Sequence, residues 1–250
     1  MAVLDANNSI TILRDIYWVG FYDKESDLHC NAYLITDDKD IILIDPGSIP
    51  HFSIVMRKVL DIVNPGDITK IIVTHQDPDV CGNLPVVESL IDNKDLDVVI
   101  HSSCSRLIRH YGINSNIYEV DKHDNKLKLK SGRVLEFFHT PYLHSPFAMI
   151  MYDVKTKTLF TSDLLGGISK NWSLFAEKGF LESMKVWHQM TMPSSHILKK
   201  CMNGLEKLEL ERILPQHGSI LQGDQIKEAI ECLKSIKCGV ETIKGVKLYE

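Results

Sequence analysis

Residues 69–79 read TKIIVTHQDPD: a short apolar run, Ile71-Ile72-Val73, stops at Thr74 and gives way at once to His75, Asp77 and Asp79. A run this short, bounded by polar residues, suits a buried strand better than a helix face. A strand ending on a histidine and two carboxylates puts metal-binding groups on a loop held by a rigid scaffold, where site residues concentrate. The same pattern recurs downstream. His144 follows the Thr140-Pro141-Tyr142-Leu143 loop, Asp163 follows LFTS at 159–162, and His217 follows ILPQ at 213–216. His75, Asp77, Asp79, His144, Asp163 and His217 are therefore the candidate metal ligands. One histidine at a strand end is ordinarily structural, and one Asp there is ordinarily a turn former or helix cap. Recurrence at four strand ends is what carries the signal.

The rest of the chain alternates in a way that fits this scaffold. Residues 10–22 are rich in Ile, Tyr, Trp, Val and Phe, and HCNAYLIT (29–36) and DIILID (40–45) read as strands joined by a DDKD turn. Asp45-Pro46-Gly47 breaks the chain before a helix over 51–63, which Asn64-Pro65-Gly66 ends. After His75 a loop leads to a helix over 84–91, a strand over 97–100, a short helix over 105–111 and a strand over 134–138. Strands over 147–152 and 158–161 flank the Lys155-Thr156-Lys157 turn. Helices follow over 182–190, over 194–210 with Ser194 or Ser195 as N-cap, and over 225–236, with a short strand at 212–214. No internal repeat or low-complexity linker interrupts the pattern. The expectation is one domain over residues 1–250, of α/β (α+β) class, in which two mostly β-rich sheets are covered by helices.

Composition agrees. The chain has 250 residues, 44% of them apolar, with 28 basic against 33 acidic side chains for a net charge of −5. That is enough apolar surface for a core without disulfides, which excludes disorder, and the charge balance excludes a broad basic field for nucleic acid. No apolar stretch approaches the roughly 18 residues of a membrane-spanning helix, and the opening MAVLDANN lacks a leader pattern. A cytoplasmic protein with neither membrane nor nucleic-acid partner is expected. Cys30, Cys81, Cys104, Cys201, Cys232 and Cys238 contain no CxxC pair and read as separate reduced thiols packed as small apolar groups.

The order of these motifs resembles the metallo-β-lactamase superfold, whose members carry HxHxDH after an early strand and then a distant His, an Asp and a final His. Within it the chain is most similar to the diiron domain of flavodiiron proteins, with its HxExDH pattern. The likeness runs from DIILIDPG through PQHG, and the separations of 69, 19 and 54 positions from His75 through His144 and Asp163 to His217 are similar as well. The resemblance implies an αββα sandwich of two mixed sheets. It also implies two Fe ions (Fe2+/Fe3+) with a bridging oxygen species. His75, Asp77, His144 and a bridging Asp163 would hold one iron, and Asp79, Asp163 and His217 the other. Two positions depart from the family: Asp77 replaces a Glu, and Val80 stands where the family places a histidine ligand to the second iron.

Three carboxylates and three imidazoles suit a pair of cations with a bridging oxygen better than one zinc ion, so the residues favour iron. The gap at Val80 leaves either a weakly held second metal or an open position for O2 or another small ligand. Cys81 is an alternative thiolate donor, against its ordinary reading as a small buried residue. His139 and Tyr142 lie near enough in sequence to assist the site without ligating. Asp45 either shapes the DPG turn or supports the metal loop, and Trp172, Phe175, Phe180 and Trp187 form either core or a wall around the site.

Full reduction of O2 to water takes four electrons, whereas two ferrous ions supply two. Flavodiiron proteins carry the further donor as FMN on a flavodoxin-like domain, and no GxGxxG loop or FMN domain is read in this chain. The resemblance is therefore closest to stand-alone oxygen-binding diiron proteins that serve as sensors in bacterial signalling such as chemotaxis. A signalling-protein partner and a homodimer are implied with it. Two alternatives remain: an O2/NO reductase fed by a separate flavodoxin or rubredoxin-like electron donor, and a dimetal hydrolase.

Overall fold

The computed structural model describes residues 4–243. In chain order its elements begin with strands β1 (Ile10–Leu13) and β2 (Ile16–Trp18), a hairpin of β3 (Phe21–Asp23) and β4 (Leu28–Cys30), then β5 (Tyr33–Asp37) and β6 (Asp40–Ile44). Helix α1 (Phe52–Leu60), β7 (Lys70–Ile72), α2 (Pro78–Cys81), α3 (Leu84–Ile91), β8 (Asp97–Ile100), α4 (Ser102–Ile108) and β9 (Asn116–Glu119) follow. The second half supplies β10 (Lys126–Lys128), β11 (Val134–His139), β12 (Met149–Asp153), β13 (Thr158–Phe160), α5 (Phe180–Thr191), α6 (Ser195–Leu205), β14 (Arg212–Leu214), β15 (Leu221–Gln222) and α7 (Asp224–Ser235).

Among the described residues one sheet runs β1-β2-β5-β6-β7-β8-β9 and the other β10-β11-β12-β13-β14-β15. Both are mixed. In the first, β6 through β9 are parallel while β1, β2 and β5 pair antiparallel. In the second, only β13 and β14 are parallel.

The period-2 alternation of a strand sorts its side chains into two layers. Leu34, Leu43, Ile71 and Val98 face a cluster built with Val55 and Val59 of α1, Leu84 and Val87 of α3, and Cys104 and Ile108 of α4. Their neighbours Ile35, Ile42, Ile44, Ile72 and Val99 face the other way, onto Leu135, Phe137, Met149, Met151 and Phe160 of the second sheet. On that sheet's far side Ile150, Leu159 and Ile213 pack under Leu198 and Met202 of α6 and Ile230 and Leu233 of α7. The result is helix, sheet, sheet, helix, with the deepest apolar layer between the sheets.

Several boundaries differ from the expectation. Helix α1 stops at Leu60, because Asn64 precedes Pro65 and takes an extended backbone, so the chain must leave the helix before it. Helix α6 stops at Leu205 rather than at 210. Its N-cap is Ser194, which makes no side-chain capping bond of its own. The loop expected after His75 contains the one-turn helix α2, so Asp79 and Val80 are helical residues with Pro78 at the first turn. Strands β9, β10 and β15 lie in segments too short or too charged to read as strands.

The sheets place the candidate residues together. His75 follows β7, Asp163 follows β13, His217 follows β14, and β13 and β14 are parallel, so their exits share one edge. Strand β11 runs in the same sense as β13, with β12 antiparallel to both, so the β11–β12 loop holding His144 emerges there too. The opposite edge carries a buried ion cluster: Arg133, with a fully buried side chain, pairs with Asp153, Asp37 and Asp15. No described helix is long and apolar enough to cross a membrane.

Candidate metal centre

The Asp77 loop is fixed by its own neighbours. Gln76 Nε2 donates to Asp77 Oδ1 at 2.6 Å, the Ser145 hydroxyl donates to Gln76 Oε1 at 2.8 Å, and the Tyr111 hydroxyl donates to the Gln76 carbonyl at 2.7 Å. That leaves Asp77 Oδ2 facing two imidazoles, His144 Nε2 at 3.3 Å and His75 Nε2 at 3.6 Å. The rings of His75 and His144 meet edge to face at 5.3 Å.

His75 is oriented from behind. Its Nδ1 lies 3.0 Å from the Ser162 hydroxyl and 3.3 Å from that of Thr74. Thr74 in turn bonds Asp45 through its backbone N–H at 2.8 Å and its hydroxyl at 2.9 Å. With the Thr74 proton committed to the carboxylate, a consistent assignment has Ser162 donating to Thr74 and His75 Nδ1–H donating to Ser162. Nε2 is then the free lone pair, the arrangement ligating histidines use. Asp45 thus supports the metal loop, and burial raises its carboxyl to about 7.

His217 is set the same way. Its Nδ1 donates to the His29 carbonyl at 2.8 Å, leaving Nε2 3.2 Å from Asp79 Oδ2 and 3.6 Å from Asp163 Oδ1. The His217 loop is clamped by Asn31, whose amide donates to the carbonyls of Pro215 and Gly218 at 2.9 Å each, and by the Tyr33 hydroxyl on the Pro215 carbonyl at 2.7 Å. Gly218 has φ of +81°, and a Cβ there would meet the Gly167 nitrogen at 2.5 Å, so the Asp163 and His217 loops touch only because position 218 is glycine.

Asp163 stands between the two groups. Its Oδ2 lies 2.7 Å from His144 Nε2, and its Oδ1 lies 3.8 Å from His75 Nε2 as well as near His217. The side chain is 2% exposed and Oδ1 has no hydrogen-bond partner. Trp187 closes this side, donating its indole N–H to the Asp163 carbonyl at 2.9 Å and packing 4.7 Å from the His217 ring. Asp77, Asp79 and His144 are each about a third exposed, so the cluster opens to solvent along that rim.

The electrostatics describe a site that attracts positive charge. Burial pushes the His75 imidazole down, but Asp163, Asp77 and Asp45 outweigh it and raise it to about 9. His217 is raised well above its ordinary range, burial again being overcome by Asp163 and Asp79. For Asp163 burial acts upward, yet His75, His217 and His144 hold it well below the usual carboxylate range. Cations and protonated imidazoles answer the same field.

Two groups have the mutual spacing of metal donors. His75, Asp77 and His144 form one and Cys30, Asp79 and His217 the other, with ligand atoms within 4.8 Å inside each group. A buried carboxylate oxygen without a partner, placed between two such groups, is what a bridging ligand requires. The residues fit a pair of metal ions. All six candidate ligands read from the sequence come together here, and one donor it passed over, Cys30, joins them. Cys81 points elsewhere, its Sγ 3.5 Å from the Asp77 carbonyl oxygen. His139 stacks on His101 at 3.9 Å, and Tyr142 is half-exposed; neither bonds any of the six. Of the aromatic set, Trp187 walls the site, Trp172 donates to the Gly218 carbonyl, and Phe175 and Phe180 pack on the cores.

Residues 28–218 match the sequence profile of the ODP family beta lactamases. The chain belongs to the ODP family. Its αββα architecture is accordingly metallo-β-lactamase-like, as expected. Among solved structures, the apo state of the chemotaxis sensor ODP from T. denticola is 25% identical with a TM-score of 0.80, over 94% of this chain and 96% of that one. A protein of Methanocaldococcus jannaschii is 27% identical over 96% of this chain and 64% of its own length. The flavo-diiron protein FprA2 of Clostridium acetobutylicum is 28% identical over 76% of this chain and 49% of its own length. This ODP-family chain thus spans about a third to two thirds of the curated relatives it matches.

Proposed function

We propose that the chain is a non-haem diiron protein that takes up O2 at its under-coordinated dimetal site and acts as an oxygen sensor. The observation behind this reading is the asymmetry of the two donor groups around Asp163. The first offers two imidazoles and a carboxylate, whereas the second offers one imidazole, the Asp79 carboxylate and the Cys30 thiol, and Val80, next to Asp79 in sequence, is an apolar, fully buried side chain that can donate nothing. An iron pair held there supplies redox chemistry toward O2.

The chain's own residues do the rest. Asp163 joins the two halves. Ser162 and the His29 carbonyl hold the Nδ1 protons of His75 and His217 and so present both Nε2 atoms. Trp187 excludes water on the buried side, and the Asp77, Asp79 and His144 rim admits a small ligand. The likeness to the chemotaxis sensor ODP, which extends over nearly all of that protein, supports a sensing role, and a signalling partner belongs to this proposal.

Anaerobic iron loading, followed by one equivalent of O2 and then by a flavodoxin or rubredoxin-like donor, tests the reading. A lasting oxygen-dependent visible band with little turnover supports a sensor. Sustained O2 or NO consumption with the donor would make the chain a reductase instead, and zinc binding with no spectral change would rule out both.

A further inference from the structure

We propose that Cys30 is a thiolate donor to the second metal position, beside Asp79, His217 and Asp163, where Val80 supplies no ligand. This rests on the dimetal reading above. Cys30 Sγ, an Asp79 carboxylate oxygen and a His217 ring nitrogen all lie within 4.8 Å of one another. Sulfur, nitrogen and oxygen donors sit about 2.0–2.3 Å from a shared first-row ion, so mutual separations of this order are required.

The placement of Cys30 is built by the fold. It ends β4 and is 4% exposed, and the preceding residue gives His217 its Nδ1 acceptor. One strand therefore orients one ligand and presents another. The following residue locks the register: Asn31 N–H donates to the Gln216 carbonyl at 2.7 Å. Asp163 Oδ1, buried and without a partner, faces the same His217 ring at 3.6 Å. Cys81 and Cys104, the other thiols near the Asp77 loop, turn toward the Asp77 carbonyl and Gln76 Oε1 and belong to neither donor group.

Charge favours the assignment. Asp77, Asp79 and Asp163 bring three negative charges, and a fourth from Cys30 neutralises two divalent ions in a site whose core is closed to water. On binding, the S–H bond breaks, the sulfur keeps the electron pair and shares it with the metal, and the proton leaves to solvent. A soft donor on one side only also makes the two metal positions chemically unequal.

Anaerobic Co(II) titration of the metal-free chain tests this. Wild type should bind two ions per chain, one of them bringing an intense near-ultraviolet thiolate-to-cobalt charge-transfer band. Cys30→Ser should lose the band and hold that ion at least tenfold more weakly, with the other ion unchanged. Cys81→Ser should keep the band, and Asp79→Asn, which retains the thiol, should lose it. Two ions per chain without the band would overturn the Cys30 assignment while leaving the dimetal centre standing. Fewer than two ions per wild-type chain would overturn the dimetal reading and this assignment together.

Discussion

The Ser162 hydroxyl lies 3.0 Å from His75 Nδ1 although the two residues are 87 positions apart, so the loop that presents Asp163 also aims His75. The coupling gives the first prediction. Ser162→Ala removes the acceptor behind His75 while sparing every ligand, and loss of such a partner costs about 10- to 100-fold in metal affinity. Competition with a chelator should show the loss, with little change in the folded far-ultraviolet spectrum.

Val80 is fully buried in the apolar layer under α1 and α3, the cluster to which Cys30 also belongs. Val80→His places an imidazole there, which without metal costs about 1–3 kcal/mol as an unpaired buried polar group. The metal-free variant should melt below wild type, gain more from metal than wild type does, and hold its oxygen-dependent band for a shorter time. Metal content and band lifetime both unchanged would place Val80 away from the second metal.

How much of this could be read in the sequence follows from where each residue sits. The six candidate ligands stood out because each interrupts or follows an apolar run, and a charged group at a strand exit contrasts with what precedes it. That the first sheet is buried on both faces was legible in the unbroken apolar runs of β5 to β8, but which way each residue faces, Ile35, Ile42 and Ile72 one way and Leu34, Leu43 and Ile71 the other, was not. Cys30 was not legible, because a buried thiol in a strand looks the same whether it packs against carbon or faces a metal. Ser162 and Asn31 act only through contacts across the fold, and Gln76 is held on Asp77 by Ser145 and Tyr111 from distant segments. Asn31 did leave a trace, as a lone amide inside HCNAYLIT. Strand β10, with its Lys-Leu-Lys pattern, is an edge strand whose charges protect it and so hide it from an apolar search.

His188 is buried, accepting the Leu165 N–H at Nε2 (3.0 Å) and donating to the Met184 carbonyl from Nδ1 (2.7 Å). Burial lowers it to about 4, against 6.5 when unfolded. Between those values the unfolded chain binds more protons than the folded one, so this contribution is full above pH 6.5 and is lost as the pH falls toward 4. The size is on the order of 3 kcal/mol. His188→Gln can keep both hydrogen bonds without titrating, and the drop in urea midpoint from pH 7 to pH 5 should be smaller for it than for wild type, both metal-free.

Arg133 sits at the edge of the sheets opposite the candidate ligands, its side chain fully buried among Asp153, Asp37 and Asp15. Removing the guanidinium takes its cation from buried Asp153, while Lys155 still pairs with Asp37 and Asp15, and breaking such a buried pair costs about 3–5 kcal/mol. Arg133→Ala should lower the urea midpoint strongly and leave metal stoichiometry at its wild-type value, which separates fold stability from the site.

One buried carboxylate, Asp163, is proposed to join the two metal positions. Anaerobic calorimetric titration of the metal-free chain with Fe(II), wild type against Asp163→Asn, decides this. Two ions per wild-type chain, with both positions weakened by the single substitution, is the predicted result. One ion per chain, or one position left at full affinity in Asp163→Asn, would contradict it.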